Sequence, residues 1–247
     1  MFDRASPPRA QRMPPIAILR FSRTEGPAYF AQWLDARKLP WQLVALDAGA
    51  VVPADPRAFA GIGMMGGPMS VNDALPWIDP ACRLLRDAVD ARVPVIGHCL
   101  GGQLLARALG ADVTRAAQTE IGWIDVDVAP AADAAAWFGA RTRFTAFQWH
   151  YDAFALPADA TRVLSNAFNP NQAYTIDDRH IGMQCHVEMT EDLVDTWCRA
   201  APDELPAVST PALMSEADIR DRLGARIGAL HDAASAVYTR WASNLRH

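Results

Sequence analysis

An open, mostly parallel β-sheet with helices on both faces is the fold class this sequence predicts, and three observations predict it. Short apolar runs alternate with stretches of helical periodicity, as parallel strands joined by crossover helices do. One such run, Val93–Ile96, leads straight into Gly97-His98-Cys99-Leu100-Gly101 and then a helical stretch. In an open sheet the ligand site lies at a strand-to-helix turn of this kind, beyond the carboxyl ends of the strands. Over Ile121–Val128 the apolar period drops to two, which grafts a small antiparallel piece onto the sheet.

The elements follow in order. Ile16–Phe21 is a buried strand after the Pro14-Pro15 break. Gly26-Pro27 opens a helix carrying Tyr29, Phe30, Trp33 and Leu34 at helical spacing. Trp41–Leu46 and Phe59–Met65 are the second and third strands, Asp79–Ala91 a helix with Cys82, Leu85 and Val89 on one face, and Val93–Ile96 the fourth strand. Ile181–Cys185 is a further short strand that ends at a histidine. Beyond Pro211 a stripe of Ile219, Leu223, Ile227, Leu230, Ala234, Val237 and Trp241 marks a helical extension opened by Ser215 as N-cap. The expected organisation is a disordered leader over 1–15, one domain over 16–200, and a C-terminal extension over 201–247 packed on that domain.

Composition narrows the function. The 247 residues carry a net charge of −5 and 51% hydrophobic residues, ordinary for a soluble protein and adverse to nucleic acid or anionic membranes. No run approaches the roughly 18 apolar residues of a membrane span, and the expected location is the cytoplasm. Cys82, Cys99, Cys185 and Cys198 show no Cys-x-x-Cys spacing, so neither a disulfide framework nor a zinc site is expected. No phosphate-binding Gly-rich Lys motif is present, and no metal or organic cofactor is expected.

Cys99 is the candidate nucleophile. The glycines flanking it permit a tight, strained turn that pushes the side chain out of the sheet, and the N-terminus of the next helix favours a thiolate. The N–H of Leu100, next after the nucleophile, is a candidate oxyanion donor. Read alone, Gly-x-Cys-x-Gly also fits an inert buried cysteine, Gly66-Gly67-Pro68 a plain turn, and Gln103 a solvated helix residue.

Gly97-His-Cys99-Leu-Gly101-Gly-Gln103 resembles the glutaminase signature of class I glutamine amidotransferases. Met65-Gly66-Gly67-Pro68 resembles that family's oxyanion loop, Gln148-Trp149-His150-Tyr151-Asp152 its pocket loop, and Gly182-Met-Gln-Cys-His186-Val-Glu188 its Gly-x-Gln-Phe-His-Pro-Glu segment. The resemblance covers Ile16 to Trp197 and implies a flavodoxin-like amidotransferase fold. It implies Cys99, His186 and Glu188 as catalytic, and Gly67, Leu100, Gln103 and His150 as oxyanion or substrate-binding. His and Glu two apart on a strand share a face, which suits a shared hydrogen bond. Cys185 and Val187 stand where the family has Phe and Pro, and Tyr151 where it has Gly; Cys185 reads as packing, and His98 as a neighbour turned away from the thiol.

The implied reaction is hydrolysis of the glutamine side-chain amide through a Cys γ-glutamyl thioester, with ammonia passed to an acceptor in trans on a synthase partner. A stand-alone γ-glutamyl hydrolase and a catalytically idle regulatory protein of the same fold are the alternatives. The intact Cys99, His186 and Glu188 weigh against the last.

Overall fold

Four consecutive apolar residues, Ile16 to Leu19, are fully buried, which a strand achieves only where both faces of its sheet are covered. In the computed structural model, which describes residues 13–246, that strand is β1 (Ile16–Arg20). Ile16 and Ile18 join one core cluster, and Ala17 and Leu19 join another on the opposite face. The first face is covered by α1 (Ala28–Ala36), α4 (Ala132–Phe138), α5 (Glu191–Ala200) and α7 (Leu223–Ala242); α2 (Ile78–Asp90) and α3 (Leu100–Ala108) cover the second.

The sheet has nine strands in the order β2-β1-β3-β4-β9-β8-β7-β5-β6. Its parallel half joins β1 to β2 (Trp41–Ala45), β3 (Ile62–Met64), β4 (Val95–His98) and β9 (His180–Met183). The remaining strands, β8 (Ala173–Ile176), β7 (Thr161–Ser165), β5 (Val113–Val128) and β6 (Arg143–Phe154), run antiparallel to their neighbours. The predicted mixed α/β class is what the structure shows, with a more extensive antiparallel part than Ile121–Val128 alone signals.

Boundaries differ where backbone hydrogen bonds are claimed by turns. Phe59 N–H closes onto Pro56 O and Ala60 N–H donates to Pro15 O, so the third strand starts only at Ile62. Val93 N–H closes onto Ala88 O at 2.8 Å, and Pro94 has no N–H to give; the fourth strand is therefore Val95–His98, not Val93–Ile96. The C-terminal stripe is not one helix. Ser215 caps α6 (Glu216–Arg220) by accepting from Asp218 N–H, and Arg222, in the left-handed region at φ 50°, redirects the chain into α7.

The leader expected over 1–15 lies outside the described residues as far as residue 12. Met13 packs against the core, and the Pro15 carbonyl is bonded as above. Among the described residues, no helix is long and apolar enough to cross a membrane.

Helix α7 reaches the centre of the sheet. Its Tyr238 hydroxyl lies 3.2 Å from His98 Nε2, and His98 Nδ1 lies 3.0 Å from Met64 O. Since Met64 O can only accept, Nδ1 donates and Nε2 accepts from the tyrosine. Replacing Tyr238 with Phe leaves that nitrogen buried and unsatisfied. We expect Tyr238→Phe to lose about 1–3 kcal/mol of stability in chemical denaturation.

Candidate active site

The turn between β4 and α3 forces Cys99 into a backbone conformation with φ 47° and ψ −105°, a region non-glycine residues occupy only under constraint. The constraint is packing. A Cβ on Gly97 would fall 2.5 Å from the Gly101 backbone, and one on Gly101 would fall 2.6 Å from Met64 Cβ. Two glycines thus let α3 start hard against the sheet, and Cys99 N–H is tied to Met183 O at 2.8 Å. The thiol sits at the first turn of α3, where the helix dipole favours a negative sulfur.

Strands β4 and β9 are parallel neighbours, with His98 opposite Met183. The segments that follow them therefore emerge side by side. Gln184 Nε2 lies 3.5 Å from Cys99 Sγ, and two residues on comes His186. His186 and Glu188 are not in a strand, as their spacing suggested: β9 ends at Met183, and His186 forms only an isolated bridge to Phe147. The extended chain there still brings His186 Nδ1 to 2.6 Å from Glu188 Oε1.

That segment is pinned without the proline its family pattern would supply. His186 N–H donates to Phe147 O at 2.8 Å, Glu188 O accepts from Tyr29 N–H at 3.0 Å, and Met189 O lies 2.8 Å from His231 Nε2. Val187 is fully buried. Trp197 packs edge-on against the His186 ring at 4.7 Å.

His186 and Glu188 are both buried. Burial works against a charged imidazole, but Glu188 and Cys99 together hold the His186 pKa well above its usual value. Burial likewise opposes the Glu188 carboxylate, yet the charge on His186 holds its pKa down to about 2. His186 Nε2 is buried with no hydrogen-bond partner. With Nδ1 committed to Glu188, Nε2 is the nitrogen left to exchange a proton at the site.

A cleft of about 460 Å³ opens over the thiol, lined among others by Gly67, Cys99, Gln103, Trp149, His150 and Tyr151, large enough for a small organic ligand. Gly67 lies against Leu100: a Cβ there would fall 2.6 Å from Leu100 Cδ2. Neither the Gly67 nor the Leu100 N–H has an acceptor among the described residues, and Leu100, opening α3, has none within its helix.

Gln103 is buried, not solvated. Its Nε2 donates to Asp152 O at 3.0 Å and to Gln184 Oε1 at 3.3 Å. His150 is engaged elsewhere: its Nε2 faces Glu120 Oε2 at 3.0 Å and its Nδ1 faces Asp152 O at 3.1 Å. His98 points into the core, where burial lowers its pKa. Cys185 is fully buried, and burial pushes its thiol up, away from nucleophilic use. Among the described residues, no group of three or more His, Cys, Asp or Glu side chains is placed to hold a metal.

Glu120 and Gln172 are buried polar residues, linked to the cleft through His150, that none of the sequence motifs contains. Glu120 is fully buried and accepts from Asn166, His150 and Gln172. A charged residue at the head of the apolar run Ile121–Val128 was the signal available.

The family profile "Glutamine amidotransferase class-I" matches residues 31–196, most of the chain. The chain belongs to the class I glutamine amidotransferases. It is 30% identical over 189 residues, 73% of this chain and 78% of the relative, to the glutamine amidotransferase-like protein YfeJ of Salmonella typhimurium. It is 31% identical over 159 residues to a glutamine-hydrolyzing GMP synthase of Aeropyrum pernix, covering 62% of this chain but only 30% of that enzyme. The solved glutamine amidotransferase of Methylobacillus flagellatus superposes with a TM-score of 0.93 at 42% identity, covering 96% of this chain and 97% of its own.

In this amidotransferase the His186–Glu188 pair makes stability depend on acid. The Glu188 carboxyl ionises at about 2 in the folded chain against 4.5 in a free carboxyl, so on acidification the unfolded chain takes up its proton first. The contribution is full above pH 4.5 and is lost as the pH falls towards 2. We expect Glu188→Gln to be less stable than wild type at neutral pH by on the order of 1–3 kcal/mol. The gap should narrow below pH 4.5, as read from urea denaturation curves across that range.

Proposed function

We propose that the chain hydrolyses the side-chain amide of glutamine through a γ-glutamyl thioester on Cys99. The observation that carries this reading is a strained cysteine at a helix N-terminus, opening on a cleft, with a buried His–Glu pair 2.6 Å apart delivered beside it by the neighbouring strand. His186 takes the thiol proton, and Glu188 holds the imidazole in orientation and stabilises its charge. The thiolate attacks the amide carbon, and the Gly67 and Leu100 N–H groups receive the oxyanion. His186 Nε2 then protonates the departing nitrogen, ammonia leaves, and water attacks the thioester to release glutamate. Gln103 and His150 shape the end of the cleft that receives the α-amino-acid part of the substrate.

The ammonia acceptor in this reading is a synthase partner. A relative from Sulfolobus acidocaldarius, 29% identical over 152 residues, is named as one subunit of a glutamine-hydrolyzing GMP synthase. That name supports an amidase acting in trans.

Incubation with a chloroketone analogue of glutamine, followed by peptide mapping, should label Cys99, and Cys99→Ser should abolish both labelling and release of glutamate and ammonia. Labelling at another cysteine, or turnover by the Ser variant, would sink the assignment. Faster turnover of γ-glutamyl dipeptides than of glutamine would favour the hydrolase alternative.

A further inference from the structure

Glu25 has no part in the mechanism above, yet it stands beside it. It lies in the loop between β1 and α1, at the carboxyl end of β1 and so on the same rim of the sheet as the elbow, and it lines the cleft with Cys99. A Cβ built on Gly66 would fall 2.1 Å from Glu25 Oε2 and 2.9 Å from His186 Cε1, so the carboxylate and the edge of the imidazole crowd one point.

The cleft has two other acidic residues, and both are engaged. Asp152 Oδ2 accepts from Ser70 Oγ at 2.7 Å, and Glu204 Oε2 accepts from Trp149 Nε1 at 2.6 Å. Glu25 receives no hydrogen bond from any described residue. Arg23, on the same loop, faces Asp47 at 4.0 Å. Glu25 is half-buried, and a carboxylate that lines a cleft without a protein donor is free to accept from what enters it.

Position decides what that is. Cε1 is the ring atom between the two nitrogens of His186, and Nδ1 is taken by Glu188. The nitrogen that protonates the leaving group is Nε2, on the other side of Cε1. Gln103 and His150, which both face the Asp152 carbonyl and not Glu25, are the residues assigned above to the amino-acid end. We propose that Glu25 is a specificity-determining residue on the leaving-group side of the site, its carboxylate receiving the N–H donors of the departing amine.

This rests on the amidase reading above. As the tetrahedral adduct collapses, the C–N bond breaks with its electron pair on nitrogen. The oxyanion pair restores the carbonyl, and Nε2 supplies the proton. The product is a nitrogen rich in N–H donors, formed next to an unengaged carboxylate in a partly desolvated cleft, where such a bond is strong. The favoured substrates are then γ-glutamyl amides that release ammonia or a primary amine. Acyl donors whose leaving atom is oxygen or a halide gain nothing from Glu25.

The pH dependence follows the same sign. Burial raises the Glu25 pKa to about 7, with His186 pulling it down and Glu188 pushing it up. The charged, accepting form therefore accumulates as pH rises through about 7, and amide turnover should rise with it.

The test compares wild type, Glu25→Gln and Glu25→Asp on three reagents: glutamine, a γ-glutamyl aryl ester and the chloroketone analogue. Glu25→Gln should lower kcat/KM for glutamine by about ten- to a hundredfold, the value of a hydrogen bond to a charged group. It should leave ester hydrolysis and Cys99 labelling unchanged and remove the ionisation near 7 from the glutamine profile. Glu25→Asp, which keeps the charge, should keep that ionisation. Equal losses on amide and ester, or no loss on either, would overturn the role given to Glu25 while leaving the amidase intact. A wild-type chain that neither labels at Cys99 nor turns over glutamine would instead overturn the amidase reading and this inference with it.

Discussion

A carboxylate with the burial of Glu188 is tolerable only because the His186 imidazole lies 2.6 Å away and carries the compensating charge. Much of the surrounding structure exists to keep those two groups in register. Phe147 on β6, Tyr29 on α1 and His231 on α7 each bond the backbone between His186 and Met189. Trp197 on α5 closes the ring from one side. Three elements distant in sequence, and the helix that follows directly, converge on four residues that belong to no strand or helix. The ordering cost of that segment is carried by tertiary bonds, not by its own secondary structure.

Cys99 is held by a different device. Cys99 inherits its position from β4 and its backbone strain from the close start of α3. The parallel pairing of β4 with β9 then sets Gln184 against the sulfur. From Gln184 a continuous polar chain runs through Gln103, the Asp152 carbonyl and His150 to Glu120. One wall of the cleft is therefore tied, bond by bond, to a fully buried carboxylate in β5.

The inner parallel strands β1 and β4 were readable because they are buried on both faces and so appear as apolar runs, Ile16–Leu19 and Val93–Ile96. The edge strand β2 is partly exposed and was marked by Trp41, Leu43, Val44 and Leu46. The elbow was readable because glycine and cysteine at fixed spacing after such a run leave few alternatives. The antiparallel half was less legible. β6 carries Gln148, His150 and Asp152, polar residues that serve the site and spoil its periodicity. The first part of β5 is exposed and polar, and α4 has only Ala134, Trp137 and Phe138 to mark its buried face. Glu120 and Glu25 were missed for one reason. Their importance lies in what faces them across the fold, Asn166 and Gln172 in one case and His186 in the other, and sequence spacing carries no trace of those partners.

The contact between Tyr238 and His98 has a consequence for the order in which the molecule is made. His98 immediately precedes Cys99, and the wall behind it is completed by α7, whose Trp241 also closes over Gly61. Synthesis runs from the N-terminus, so the segments carrying Cys99, His186 and Glu188 leave the ribosome before α7 does. The packing behind His98 is therefore finished last, by a helix made after every segment it backs.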